Sequence, residues 1–272
     1  MKSEELVRGV VSGFKPYQGE INPSELAKRL GVPTEEVLSL HANENLFIER
    51  EWILEKVREA VSSLDFRFYP DPETIEARQA IAEHFGLETS EIIMGNGTDE
   101  VLDILAKVFI DPGCEAVILE PTFGIYRLCT LLLNGTPRGV LLNEDFSPNV
   151  EAVLNAVTPK TRIIFVCSPN NPTGNQYAAD DVKRIVEESG CIVVVDEAYA
   201  DFADYTLLGW IHNYDNLVVT RTFSKSFGIA GLRVGFAAAN SALADTIRKT
   251  IFPYNVNTLA QRMVTLLLES WD

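Results

Sequence analysis

The apolar positions along the chain form short runs separated by stretches in which apolar residues recur at helical spacing. Such a pattern predicts strands that alternate with helices. The strands are predicted at Glu91–Met94, Ala116–Leu119, Val140–Leu142, Arg162–Cys167, Ile192–Val195, Leu217–Thr220 and Val234–Ala238. The helices are predicted from Thr98 to about Val108, within Pro121–Asn134, and at Val150–Val157, Asp180–Ser189 and Thr258–Ser270. This order implies an α/β fold with a mostly parallel central sheet flanked by helices.

The two ends of the chain differ from this alternating middle. Residues 1–40 are interpreted as an N-terminal arm with short helical pieces at Leu26–Leu30 and Glu35–Leu40, and residues 41–272 as one large domain. The helix predicted at Thr258–Ser270 runs into Trp271 and Asp272 without a glycine or asparagine to end it. We therefore expect a further domain to be missing after residue 272.

Composition limits the functional classes. Hydrophobic residues make up 46% and charged residues 23% of the 272 residues, as in soluble globular proteins. A net charge of −16 argues against nucleic acid as a partner. We find no signal peptide and no apolar run long enough for a membrane span, so a cytoplasmic protein without a membrane partner is expected. The four cysteines form no C-x-x-C pair and the three histidines no metal-ligand pattern, so we expect free thiols and no metal.

Four polar segments follow predicted strands, where open α/β sheets bind their ligands. A glycine turn that leads into a helix can hold a phosphate, and a carboxylate after a buried strand needs a partner. Taken singly, each segment also has a plain structural explanation: a turn with Thr98 or Asp99 as helix cap, a β-turn, a capping aspartate, or an exposed lysine. The segments are Gly95–Glu100, Ser168–Gly174, Asp196–Tyr199 and Thr222–Arg233.

Taken together, the segments show a specific order and spacing. Asn171 precedes Asp196 by 25 residues, Asp196 precedes Lys225 by 29, and Arg233 follows eight residues after Lys225. This pattern resembles the fold-type I aminotransferases that depend on pyridoxal 5′-phosphate (PLP), and the resemblance covers essentially the whole chain. Four further segments are similar to the histidinol-phosphate aminotransferase family: Lys15-Pro16-Tyr17, Asn43-Glu44-Asn45, Phe68-Tyr69-Pro70-Asp71-Pro72 and Gly95–Glu100.

The resemblance implies PLP as cofactor and a role for several residues. Lys225 would form the Schiff base with the cofactor aldehyde and, once displaced by substrate, move a proton at the substrate α-carbon. Asp196 would pair with the pyridine nitrogen, and Asn171 and Tyr199 would bind the ring's phenolic oxygen. Phe123 would stack on the ring face.

The resemblance also implies how the cofactor phosphate and the substrate are held. The phosphate would be bound by the backbone of Gly97, Thr98 and Asp99, the hydroxyls of Thr222 and Ser224, and the guanidinium of Arg233. Tyr69 would reach the phosphate of a neighbouring subunit's cofactor, which implies a homodimer. The residues expected to contact substrate are Tyr17, Asn43 and Asn45.

The implied reaction is amino transfer from histidinol phosphate to 2-oxoglutarate, a step of histidine biosynthesis between small-molecule amino and keto acids. The sequence departs from the family in two ways. Leu46 follows Asn45 where the family has proline. The family's C-terminal small domain, which supplies an arginine for the substrate's carboxylate or phosphate, does not appear in the sequence. We therefore expect these residues to bind PLP and to turn over poorly by themselves.

Three alternatives stay open on the sequence. A PLP-dependent lyase, such as a threonine-phosphate decarboxylase-like enzyme, would share all of the cofactor residues. A non-catalytic fragment could bind cofactor or serve only in dimerisation. A nicotinamide dehydrogenase is disfavoured because no G-x-G-x-x-G follows an early strand, and Gly95-Asn96-Gly97 lacks the third glycine.

Overall fold

The structure, a computed structural model, describes residues 3–15 and 21–271, which fall into two compact units, Met1–Glu44 and Asn45–Asp272. The first unit contains helices α1 (Gly9–Ser12) and α2 (Pro23–Leu30) and 3-10 turns at Ser3–Leu6 and Thr34–Glu36. Helix α2 begins where the Asn22 side chain accepts a hydrogen bond from the Ser24 N–H, and it ends at Gly31 with φ of 70°.

The helix predicted at Glu35–Leu40 is wrong. Only the 3-10 turn at Thr34–Glu36 forms there, and residues 37–40 are not helical. The preceding Pro33 can start such a turn, but Leu38 and Leu40 are both exposed and so have no core to pack against. The apolar residues of this stretch therefore do not mark a helix.

In the described part of the second unit, seven strands form one sheet in the order β1-β7-β6-β5-β4-β2-β3. Strand β7 runs antiparallel to both of its neighbours, and all other pairs are parallel, which confirms the mostly parallel α/β fold. The strands are β1 (Ile92–Gly95), β2 (Glu115–Glu120), β3 (Thr136–Leu141), β4 (Thr161–Cys167), β5 (Ile192–Asp196), β6 (Leu217–Thr222) and β7 (Gly235–Ala239).

Alternate residues of each strand face opposite sides of the sheet, so the sheet separates two apolar cores. On β4, for example, Ile164 and Val166 belong to one core, and Ile163 and Phe165 to the other. Helices cover both faces, as expected for a sheet of this kind. They are α3 (Arg50–Ser62), α4 (Ile75–Phe85), α5 (Thr98–Phe109), α6 (Ile125–Leu132), α7 (Val150–Ala156), α8 (Ala179–Glu188), α9 (Ser241–Arg248) and α10 (Thr258–Leu268).

The two outer strands are protected in different ways. On β1, the carbonyl oxygens of Ile92 and Met94 accept hydrogen bonds from the side chains of Arg248 and Asn255, both at 3.3 Å. On β3, Pro137 has no N–H to offer. Strand β3 begins at Thr136, four residues before the predicted Val140. The prediction missed these first residues because they are largely exposed and give no apolar signal. Across residues 3–15 and 21–271, no helix has the length and apolar character that a bilayer crossing requires.

Candidate active site

The strand directions bring the polar segments to one edge of the sheet. The carboxyl ends of β5 and β6 lie side by side, with Asp196 paired in register to Thr220. Gly235, the first residue of the antiparallel strand β7, pairs with Gly95 on one side and Thr222 on the other. Three segments that are distant in sequence therefore meet at this edge, as they do at the ligand-binding edge of other open sheets.

Asp196 is a buried acidic residue at this edge, with 3% of its surface exposed. Its Oδ2 accepts a hydrogen bond from the Tyr126 hydroxyl at 2.7 Å, and its Oδ1 accepts one from the Ala198 N–H at 3.1 Å. Burial raises the pKa of Asp196 above its ordinary value, and the two hydrogen bonds oppose that rise. A buried carboxylate held by neutral donors is suited to a cationic ligand group.

Lys225 lies on the loop after β6. Thr222 shapes this loop by accepting the Ser224 N–H at 3.1 Å on its hydroxyl. The Lys225 ammonium lies 5.6 Å from the centroid of the Tyr199 ring, and the lysine is half-buried. From the other side, the Asn45 side-chain amide donates to the Ser226 carbonyl at 2.9 Å. The predicted residues Asn45, Tyr199 and Lys225 are thus neighbours in the fold.

The glycine turn after β1 contacts Arg233. Gly97 has a φ of 82° and precedes α5 as its cap, so the prediction of Thr98 or Asp99 as the helix cap is wrong. The positive φ favours glycine at this position, and a Cβ at Gly97 would lie 2.5 Å from Arg233 Nη2 and displace the guanidinium. Arg233 Nη2 pairs with the Asp99 carboxylate at 3.1 Å, and Nη1 donates to the Ser224 hydroxyl at 3.4 Å.

The Thr98 side chain is committed to the fold. It is buried, and its hydroxyl donates to the Arg221 carbonyl at 3.0 Å. A Cβ at Gly235 would lie 2.8 Å from the Thr98 backbone nitrogen, so the close approach of β7 to the start of α5 requires glycine there as well. What Thr98 can offer a ligand is its backbone N–H at the helix N-terminus.

The loop after β4, which carries the predicted Asn171, is fixed by its neighbour Asn170. The Asn170 side chain is 2% exposed, accepts from the Thr122 hydroxyl at 2.7 Å and donates to the Pro121 carbonyl at 2.9 Å. These bonds tie this loop to the segment that carries Phe123. Asn171 is half-buried on the same loop, and Phe123, also half-buried, meets the Tyr126 ring edge-on at 5.8 Å.

A buried charged network behind these segments was not predicted. Arg221 on β6 pairs with Glu197 at 3.2 Å, both at most 5% exposed, and it also pairs with Asp201. Asp201 in turn accepts a hydrogen bond from the Ser226 hydroxyl, beside Lys225. The network joins the Asp196 segment to the Lys225 loop. Glu197 directly follows Asp196, and an acidic pair after a core strand was a signal that could have indicated it.

Three further residues were predicted to bind cofactor or substrate. Tyr69 is 80% exposed and stacks on Tyr254 with ring centroids 4.5 Å apart. Asn43 lies in the first unit with a φ of 52°. Tyr17 lies outside the described residues. Conversely, Tyr126 on α6 was missed by the sequence reasoning, which singled out only Phe123, three residues earlier.

Comparison with known proteins identifies the family. The model of class I and II aminotransferases matches residues 35–271, and the chain belongs to this family of PLP-dependent enzymes. Its relatives include the histidinol-phosphate aminotransferase of Christiangramia forsetii, which is 38% identical over 271 residues, or 98% of this chain and 71% of that protein. Amino transfer with PLP is therefore the general reaction of this chain, as the sequence resemblance implied.

Solved structures agree on the fold. The histidinol-phosphate aminotransferase from Sinorhizobium meliloti, determined in complex with PLP, has a TM-score of 0.84 at 22% identity and covers 97% of this chain and 71% of that one. The L-threonine-O-3-phosphate decarboxylase from Porphyromonas gingivalis has a TM-score of 0.71 at 23% identity, with 82% and 69% covered. Since both an aminotransferase and a decarboxylase have this fold, the fold does not select the substrate.

Proposed function

We propose that the chain transfers the amino group of histidinol phosphate to 2-oxoglutarate, with PLP bound at the carboxyl edge of the sheet in residues 45–272. The observation that carries the cofactor site is the buried Asp196 carboxylate, held by the Tyr126 hydroxyl and the Ala198 N–H. The substrate is proposed from the names of relatives such as the one that is 38% identical over 98% of this chain. A reaction on these soluble metabolites would take place in the cytoplasm.

The residues at the sheet edge fit PLP. When bound, PLP supplies an electron sink for the pair released at the substrate α-carbon. Asp196 would bind the protonated ring nitrogen, because a buried carboxylate without a cationic partner gains most from a positive charge placed against it. Phe123 would pack on the ring face, and Asn171 and Tyr199 would donate hydrogen bonds to the ring's phenolic oxygen.

Lys225 would bind the cofactor aldehyde covalently and then move the proton. Its amine lies on a loop fixed by Thr222 and Ser226, so its position is defined before any ligand arrives. After substrate displaces it, the Lys225 Nζ would remove the proton from the substrate α-carbon and return it on the cofactor side. A lysine is suited to this role because a deprotonated amine is both a nucleophile and a base.

The phosphate would bind where α5 begins. The backbone N–H groups of Thr98 and Asp99 lie at the positive end of the helix dipole there, and Arg233 adds a charged donor. The Gly97 N–H, also proposed to bind the phosphate, donates to the Gly95 carbonyl at 2.8 Å and would exchange that bond for one to the phosphate. Ser224 accepts from Arg233 and would turn its own hydroxyl, with that of Thr222, to the phosphate. The Asp99 carboxylate pairs with Arg233, so the contribution proposed for Asp99 is its backbone N–H alone.

Asn45 is proposed as a substrate contact because its amide is bound to the loop that carries Lys225. Asn43 and Tyr17 are proposed for the same role from the family resemblance. The second subunit of a homodimer is proposed to receive Tyr69. Tyr69 is 80% exposed, and burial against a second subunit would remove its ring from water. Other large apolar side chains of the second unit are also exposed, among them Leu46, Phe47, Phe66, Phe68 and Phe252.

The dimer can be tested by complementation. Tyr69→Ala and Lys225→Ala chains are mixed after unfolding and refolded together, so that hybrid dimers contain one site with both residues intact. We expect the mixture to regain the visible absorption of bound PLP and part of the activity that each variant lacks by itself. Light scattering should give twice the mass of one chain. A monomer, or a mixture no better than its components, would refute the shared site.

The substrate is tested spectroscopically. The protein is loaded with PLP, its visible spectrum is recorded, and histidinol phosphate is added, with Lys225→Ala as the control. We expect a Lys225-dependent band that decays as one equivalent of keto product forms and returns when 2-oxoglutarate is added, because two half-reactions share one site. A band that ignores histidinol phosphate would show that these residues do not transfer its amino group by themselves, and the absence of any Lys225-dependent band would exclude the cofactor site.

A lyase is the second candidate, because the decarboxylase fold is similar. The two functions separate on substrate chemistry: a decarboxylase needs an α-carboxylate, which histidinol phosphate does not have. O-phosphothreonine is therefore offered in parallel. Release of carbon dioxide without keto-acid formation would favour the lyase.

A further inference from the structure

We infer that Tyr126 is a positioning residue, whose buried hydroxyl orients the Asp196 carboxylate toward the cofactor's ring nitrogen. The inference deepens the proposed function and rests on the PLP site proposed there. Tyr126 is wholly buried, and its hydroxyl donates to Asp196 Oδ2 at 2.7 Å while the Ala198 N–H binds Oδ1 at 3.1 Å. With one donor on each oxygen, the carboxylate plane cannot rotate without breaking a hydrogen bond.

Tyr126 is itself held from three sides. Its ring stacks on Phe165 of β4 with centroids 4.9 Å apart and planes inclined by 10°. The Phe123 ring meets it nearly perpendicularly at 5.8 Å. Its carbonyl accepts the Thr130 hydroxyl at 2.8 Å, one turn further along α6. The same side chain therefore contacts two of the residues proposed to bind the cofactor ring, Asp196 and Phe123.

The surrounding charges leave the tyrosine as a hydrogen donor. Burial and the nearby Asp196 raise the pKa of Tyr126 well above its ordinary value, so the phenol stays protonated. The other groups that face Asp196 are the Thr220 hydroxyl on β6, the Cys167 thiol on β4, whose pKa burial raises to about 12, and the Asp99 carboxylate on α5. The Asp99 charge raises the pKa of Asp196, and the hydrogen bond donated by Tyr126 opposes that rise and favours the ionised carboxylate.

The variant Tyr126→Phe removes one oxygen and keeps the ring that packs on Phe165 and Phe123. A matched control is Tyr177→Phe, because the Tyr177 hydroxyl is also buried but makes no hydrogen bond to any described residue. Two ligands are titrated into each protein: PLP, and the analogue in which the ring nitrogen is replaced by C–H. The analogue keeps the phosphate, the aldehyde and the ring face, and it removes only the group that Asp196 would bind.

We expect Tyr126→Phe to weaken PLP binding about tenfold and to leave the dissociation constant of the analogue unchanged, since the lost bond is one to a charged group. Tyr177→Phe should change neither constant. Tyr126→4-aminophenylalanine, which keeps a donor of similar size, should restore PLP affinity, and it tests the inference even if the phenylalanine variant does not fold. In the Asp196→Asn background, Tyr126→Phe should have no further effect on PLP binding.

Equal weakening of both ligands would mean a merely structural role for Tyr126 and would overturn the inference, and so would an unchanged PLP affinity in Tyr126→Phe. Failure of 4-aminophenylalanine to restore binding in a folded protein would also overturn it. Failure of the proposed function is distinguished beforehand. In that case the unmutated protein would show no Lys225-dependent PLP band, whatever residue stands at position 126.

Discussion

The two ends of the proposed cofactor site are built differently. At the ring-nitrogen end, Asp196 and Tyr126 are 3% and 0% exposed and bind each other within the core. At the phosphate end, the side chains of Arg233 and Asp99 are 42% and 54% exposed and form an ion pair in contact with solvent. The first end holds a charge that the fold must keep out of water, and the second holds charges that water can screen.

Burial decides how much each end depends on single side chains. A polar group in the interior has lost its hydration. If its partner is removed, no water replaces the lost hydrogen bond, and the free energy of the folded state rises. An exposed ion pair exchanges its partner for water and contributes between 0 and about 1 kcal/mol. We therefore expect substitutions at the buried end to have large effects and equivalent substitutions at the phosphate end to have small ones.

The largest effect is expected from Arg221→Met, which leaves Glu197 and Asp201 without their buried cation. We expect the free energy of unfolding to fall by about 3–5 kcal/mol, because an unpaired buried charge is strongly destabilising. Urea denaturation measures it. The control is Arg184→Met, where the arginine side chain is 44% exposed and pairs with Glu151 and Glu188 at the surface. If both variants lost the same amount, burial would not be the cause.

The next effect is on the reaction. Asp196→Asn keeps the size of the side chain and removes the charge that would stabilise the protonated ring nitrogen. We expect the rate of amino transfer to fall by about two to three orders of magnitude, the size found when one preorganised electrostatic contact is removed. Single-turnover decay of the PLP band measures it. The same substitution at the other end, Asp99→Asn, should change that rate less than threefold; equal losses would contradict the comparison.

A backbone effect comes third. Gly97→Ala places a methyl group 2.5 Å from Arg233 Nη2 at a residue with φ of 82°. We expect a loss of about 1–2 kcal/mol in the free energy of unfolding from the left-handed conformation, together with weaker PLP binding as Arg233 moves. Gly113→Ala is the control. Gly113 has φ of 88° but open space at the Cβ position, so that variant should lose stability and keep PLP affinity.

Asp196 also predicts a pH effect in the cofactor-free protein. Its folded pKa is raised above 3.8 by burial, so ionisation favours the unfolded state. The contribution of Asp196 to the free energy of unfolding should fall as pH rises from below 3.8 through its folded pKa, and Asp196→Asn should lack that loss. We expect the variant to be roughly 1 kcal/mol more stable at neutral pH. Denaturation curves across this pH range measure it; a variant less stable at every pH would contradict the sign.

The smallest effect is expected from Asp99→Asn. The variant breaks an exposed ion pair and releases Arg233 from its carboxylate, so stability should change by less than about 0.5 kcal/mol. PLP affinity should stay equal or rise about twofold, because one negative charge near the phosphate is removed. Calorimetric titration at low and high salt measures it, and the gain should shrink as salt screens the charge. A tenfold loss would show that the Asp99 carboxylate itself is required.

The sequence was informative wherever burial left a clear pattern. The apolar runs of β4, β5 and β6 predicted strands close to their observed limits, because both faces of these strands are buried. Helix α4 was not predicted, since its buried positions include small alanines such as Ala77 and Ala82 that give a weak apolar signal. Strand β3 was predicted too short because most of its residues are exposed and give no apolar pattern. The exposure follows from its position at the end of the sheet, where only one side has a neighbouring strand.

For the site, the sequence indicated an order of motifs but no contacts. The fold class and the cofactor that the resemblance implied are confirmed, while the roles of individual residues stay predictions. The bond between Tyr126 and Asp196 joins residues 70 positions apart, and the Arg221–Glu197 pair joins residues 24 apart. Such pairs are set by how strands and helices pack, and no local pattern in one sequence encodes them.

The two outer strands affect the tendency of the protein to aggregate. An uncovered strand edge can recruit the edge of another molecule and start aggregation. On β1, the side chains of Arg248 and Asn255 already occupy backbone carbonyls, and on β3, Pro137 removes a donor while Arg138 adds an exposed charge. Both outer strands of the seven-stranded sheet therefore offer fewer free backbone groups for pairing with the sheet edge of another molecule.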